Sequence, residues 1–66
     1  MTARKVRTFD GVDYGTELVI DGRRATFVTG HDQLGYVHFL DEQTATDTVS
    51  REVWLSALTD VREVSR

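Results

Sequence analysis

The sequence has no cysteine and no proline. Without cysteine, disulfides and Cys-based zinc sites are excluded, and a reducing compartment fits the composition. The two histidines leave little for a metal centre. No apolar run approaches a membrane span. The N-terminal MTARKVRTFDG is basic but lacks the apolar stretch of a secretory signal. The expectation is a cytoplasmic protein with no membrane association. No internal repeat, low-complexity segment or long linker stands out. With 66 residues, the chain is expected to be one small domain, residues 1–66, with 1–4 as a flexible N-terminal tip. A chain of this size buries only about 60% of its unfolded surface, and such chains usually add disulfides, a metal or association to their core. The first of these is closed here.

Eight basic residues face eleven acidic ones, for a net charge of −3. Arg4, Lys5 and Arg7 begin the chain, and Arg23 and Arg24 follow an acidic stretch of Asp10, Asp13, Glu17 and Asp21. No basic stripe runs along one element, which counts against tight binding of a phosphate backbone.

The stretch ELVIDGRRATFVTG (17–30) reads as a β-hairpin. Asp-Gly is the strongest short-range hairpin signal, because a type I′ turn needs positive φ at both central positions. In that register Ile20 faces Arg23, Val19 faces Arg24 and Leu18 faces Ala25. Leu18, Ile20, Ala25 and Phe27 then share a core face, while Glu17, Val19, Arg24, Thr26 and Val28 share the other. GHDQLG (30–35) reads as a glycine-bounded loop. YVHFLDE (36–42) reads as a third strand, with Val37 and Phe39 inward and Tyr36, His38 and Leu40 outward. QTATD (43–47) is a polar loop. KVRTF (5–9) reads as a fourth strand, with Val6 and Phe9 packing.

In the last third the period changes. At ~100° per residue, Val53, Trp54, Ala57, Leu58, Val61 and Val64 fall within an arc of about 140°. Ser50 suits an N-cap, and Val49 and Trp54 suit a hydrophobic staple. The spacing predicts a helix from about residue 50 to 64, with Trp54 in the core. A competing pattern stops the helix near Leu58 and makes VREVS a closing strand. The expected fold is therefore α+β: a small curved antiparallel sheet of three to five strands with one C-terminal amphipathic helix.

The stretches GTELVIDGRRATFV (15–28), GYVHFLDE (35–42) and VSREVWLSAL (49–58) together resemble the SH3-like small barrels that carry a C-terminal helix, such as the chromo-like domains and the small archaeal chromatin proteins. That resemblance implies a sheet curled under its helix. It also implies binding of nucleic acid, or of peptide tails through aromatic cages. The acidic balance turns the expectation towards a protein partner.

Val19, Arg24, Val28, Tyr36, His38 and Leu40 are the candidate partner-binding residues, an apolar and aromatic strip on the outer sheet face. If it lies open, a homodimer is its simplest use. Direct nucleic-acid binding is the alternative, through Arg4, Lys5, Arg7, Arg23, Arg24 and Tyr36. A metal-dependent enzyme around His31, Asp32, His38 and Asp41 is a distant third, because their spacing matches no metal signature. Asp41 and Glu42 point to opposite faces of a strand, Ser50 and Ser56 lack a nucleophile context, and Gly11, Gly15 and Gly22 form no phosphate loop. The expectation is a small non-catalytic binding or regulatory module that recognises a protein partner, with a place within nucleic-acid transactions left open, and without a cofactor.

Overall fold

The computed structural model describes the backbone of residues 2–65 and the side chains of residues 4–64. Six strands form one antiparallel sheet: β1 (Thr2–Lys5), β2 (Glu17–Ile20), β3 (Arg23–His31), β4 (Leu34–Phe39), β5 (Arg51–Trp54) and β6 (Val61–Ser65). Their spatial order is β1-β6-β2-β3-β4-β5. Short 3-10 turns at Leu40–Glu42 and Leu55–Ala57 are the only helical elements among the described residues. The chain is thus all-β, and the expected α+β fold is corrected. The sheet is open, with β1 and β5 at its edges, so it is not the barrel that the SH3-like resemblance implied. The first residue of the expected N-terminal tip lies outside the described residues; residues 2–5 pair with β6.

The β2–β3 hairpin has the register that Asp21-Gly22 dictates. Ile20 pairs with Arg23, Val19 with Arg24, Leu18 with Ala25 and Glu17 with Thr26. Asp21 and Gly22 take φ of 48° and 85°, as a type I′ turn requires. Leu18, Ile20, Ala25 and Phe27 are buried. The Asp21 carboxylate accepts the N–H groups of Thr59 (3.0 Å) and Asp60 (2.6 Å), so the hairpin tip also caps the entry to β6.

Residues 30–35 are not a loop. They complete a second hairpin, in which Gly30 pairs with Gly35 and His31 with Leu34. Asp32 makes the turn at a φ of 52°, which Asp tolerates better than most residues. The two glycines serve packing rather than chain reversal. A Cβ on Gly35 would stand 2.7 Å from the Phe9 ring, and one on Gly30 would stand 2.5 Å from the Leu34 carbonyl oxygen. The bare backbone is the floor on which Phe9 lies. Phe9 also stacks on Phe27 with ring centroids 5.4 Å apart. Its N–H donates to the Asp32 carbonyl at 2.8 Å, and the Asp10 carboxylate accepts the Asp32 N–H at 3.1 Å. The β1–β2 connection is thereby clamped over the sheet. Val6 and Phe9 are buried as expected, although the strand itself lies earlier, at residues 2–5.

The expected helix over 50–64 is replaced by β5, a 3-10 turn and β6. β6 fills the slot between β1 and β2 and bonds to both; a helix there would leave both edges unpaired. The valines of this segment favour strands, and a lone helix of about 15 residues is marginal in water. Val61 is buried and points inward, whereas Val64 is half-buried. Ser50 caps no helix; its hydroxyl lies 2.8 Å from His38 Nε2. Trp54 is 47% exposed and stands outside the core.

The core consists of Leu18, Ile20, Ala25, Phe27, Val37, Phe39, Val53 and Val61 from the strands, with Val6 and Phe9 over them. Val12, Leu55 and Leu58 pack on its margin. The smallest molecular dimension is 21 Å, about twice the ~10 Å that separates stacked sheets. A second layer therefore lies on the apolar face of the sheet, supplied by the connections at residues 6–12 and 55–58.

Candidate functional site

The outer face of the sheet follows from the registers, since opposed residues share a face. Val19 lies between Arg24 on β3 and Arg62 on β6 and is half-buried. Thr26 faces His38, whose ring is tied to Ser50. The β3–β4 register shifts between Phe27 and Thr29, which leaves Val28 as the extra residue of a bulge. Leu40 has left the strand for the 3-10 turn and is 46% exposed. The candidate strip is therefore divided. Val19 and Leu40 lie towards one end of the face, Tyr36 lies at the other, and the polar Thr26–His38 pair stands between them.

A different cluster forms on β4 and β5. Tyr36 lies opposite Glu52, and Leu34 opposite Trp54. The Tyr36 hydroxyl donates to Glu52 Oε2 at 3.1 Å, and the Trp54 indole N–H donates to Oε1 at 3.0 Å. One carboxylate thus holds two aromatic side chains in place. The hydrogen bond to Glu52, and then its negative charge, push the Tyr36 phenol above its ordinary pKa of 10.0. Among the described residues β5 bonds only to β4, so the cluster sits on a strand edge that they leave open. Glu52, Trp54 and Leu34 were missed as site residues because the helical spacing of 53–64 assigned Trp54 to a core. The available signal was local: LGYVHF and REVW each alternate between the two faces.

The cationic candidates are mostly engaged. Arg4 pairs with Glu63 at 3.1 Å, and Arg24 pairs with Glu17. Arg23 makes a two-pronged contact with Asp41, at 2.8 and 3.2 Å, and its guanidinium lies 4.0 Å from the Phe39 ring centroid. These hydrogen bonds hold the Asp41 carboxyl below its ordinary range and raise the Arg23 guanidinium. Arg51 is likewise raised by its two hydrogen bonds to Glu42. Lys5 and Arg7 have no carboxylate partner among the described residues. Among the described residues, no group of three or more His, Asp or Glu side chains is placed to hold a metal ion. No helix among them is long and apolar enough to cross a membrane.

Compared with protein-family models, curated proteins and solved structures, the chain matches none. The expected likeness to chromo-like domains and small archaeal chromatin proteins is therefore corrected twice over: no family model matches, and the sheet is open and carries no α-helix among the described residues.

Proposed function

We propose that the protein is a non-catalytic recognition module that takes an extended segment of a partner protein along the free edge of β5. The observation that carries this is the Trp54–Glu52–Tyr36 cluster: an exposed tryptophan, held by a carboxylate, beside a strand edge that is unpaired among the described residues. An added strand gains main-chain hydrogen bonds from such an edge, and side-chain pockets beside it supply specificity. Tryptophan and tyrosine dominate interface energies, and a prefixed rotamer reduces the entropy lost on binding. A cytoplasmic setting belongs to this proposal and rests on the cysteine-free composition. Nucleic-acid binding finds less support, because Arg4, Arg23 and Arg24 would first have to leave their carboxylates.

The test is selection of linear peptides from a random display library on the immobilised protein, followed by titration of the selected peptides. Selected peptides should shift the amide resonances of residues 51–54. They should bind Trp54→Ala at least ~30-fold more weakly, the loss expected of an interface hot spot. Their affinity should change little between low and high salt. Selection of no peptide, or equal binding to Trp54→Ala, overturns the proposal. Light scattering during the same titrations separates peptide capture from pairing of two copies through β5.

A further inference from the structure

Glu52 is an exposed carboxylate with no cation beside it. Its oxygens accept the Tyr36 hydroxyl at 3.1 Å and the Trp54 indole N–H at 3.0 Å, and neither donor carries a charge. No ion pair among the described residues includes it. Its neighbour Arg51 lies opposite the buried Val37, on the other face of the sheet, and is held by Glu42 through two hydrogen bonds. Lys5 lies on β1, at the far edge, and Arg7 belongs to the connection over the core face. An ionised carboxylate has about four acceptor sites, of which the two aromatic donors take two. The Trp54 N–H lies in the plane of its ring, so this bond leaves the ring faces free, and the side chain is 47% exposed. An unanswered negative charge thus stands beside an open aromatic face.

The backbone of β5 presents the same two residues to a partner. The Leu55 N–H donates to the Gln33 carbonyl at 2.8 Å, one step beyond the Leu34–Trp54 pair. Backbone groups of an antiparallel strand alternate in direction. Arg51, Val53 and Leu55 therefore turn theirs to β4, and Glu52 and Trp54 turn theirs to the open edge. An antiparallel strand that exchanges both bonds with Glu52 sets one side chain directly opposite it, on the outer face.

We propose that the segment taken by β5 is a strand with an arginine opposite Glu52. Its guanidinium fork uses the two acceptor sites that the carboxylate has left, and its plane lies on the Trp54 ring. A lysine would supply the charge but not the fork, and a neutral side chain would supply neither. A single charge contact keeps the salt dependence of binding small. This inference rests on strand addition at β5 and names the residue that the edge selects.

The test uses random libraries of short linear peptides that differ only in a fixed central residue: arginine, lysine or glutamine. Selection on the full chain should enrich the arginine library above the other two. The tightest arginine peptide is then compared with its lysine and citrulline analogues, read from the fluorescence of Trp54, the one tryptophan of the chain, and from the amide resonances of residues 51–54. Citrulline keeps the shape of arginine without its charge, and its peptide should bind at least ~5-fold more weakly; the lysine peptide should bind ~3-fold or more weakly. Glu52→Gln should weaken the arginine peptide at least ~5-fold and reduce its advantage over citrulline to less than ~2-fold. If Glu52 served only to hold Tyr36 and Trp54, this variant would weaken both peptides equally, and that result overturns the inference. Equal enrichment of the three libraries, with shifts at 51–54, overturns the arginine assignment and leaves strand addition standing. No binding from any library overturns both.

Discussion

The two faces of the sheet hold their side chains in place by different means. The inner face uses shape: Phe9 lies flat on Gly35, stacks on Phe27 and leaves no room for a Cβ beneath it. The outer face uses charge and hydrogen bonds: Arg24 with Glu17, His38 with Ser50, Tyr36 and Trp54 on Glu52. Shape complementarity in a dry core contributes far more to stability than exposed ion pairs do. The outer face is therefore free to vary in binding without endangering the fold. Substitutions on the inner face should change stability, and substitutions on the outer face should change recognition.

The largest expected effect is Phe9→Ala. It removes a fully buried ring and should cost about 3–5 kcal/mol in chemical denaturation. A chain of this length has a total of only about 3–10 kcal/mol at ~0.05–0.15 per residue, so partial unfolding in plain buffer is expected. A loss under about 1 kcal/mol would mean that the ring is not packed on the sheet and would break the comparison.

Gly35→Ala comes next. Its new Cβ would meet the Phe9 ring at 2.7 Å, and overpacking of this kind costs about 1–3 kcal/mol. The double variant Phe9→Leu, Gly35→Ala should recover part of that loss, because the smaller side chain makes room for the methyl group. Independent effects of the two changes would show that ring and glycine do not touch.

Trp54→Ala should change stability by less than about 1 kcal/mol, since the side chain is half exposed on an edge strand. Its effect belongs to peptide binding. A large stability loss here would place Trp54 in the core after all and erase the difference between the faces.

Much of this division was legible. Asp21-Gly22 set the first hairpin, and the alternation of Val37 and Phe39 with Tyr36 and His38 assigned two faces of β4 correctly. The rest failed where structure depends on distant chain. Gly30 and Gly35 carry the marks of a loop, and nothing local to them announces a phenylalanine more than twenty residues earlier. Val61 and Val64 have helical spacing, but β6 is called into the sheet by β1 and β2, whose unpaired edges a periodicity cannot see. Trp54 followed that error: as a helix residue it faces a core, as a strand residue it faces solvent beside Val53, which turns in. The open cluster on β5 was hidden by the one wrong period.

The smallest effects come from titration of solvent-exposed groups. Asp41 has a native pKa below its unfolded value because Arg23 bonds to its charged form. Its contribution to stability is full above the unfolded pKa and is lost as pH falls through the native one. Tyr36 is the opposite case. Its native pKa is raised by Glu52, so its contribution is full below 10.0 and is lost as pH rises through the native value. Both groups are solvated, so the changes in stability are small and the chemical shifts are the better reporters. Glu52→Gln should return the Tyr36 phenol towards 10.0 and leave Asp41 unchanged, as read from the tyrosine ring carbon and the aspartate carboxyl carbon. If the Tyr36 titration did not move, Glu52 would not be holding the ring. Trp54 and Tyr36 would then lack their common anchor, and the outer face would have no fixed aromatic pair to present to a partner strand.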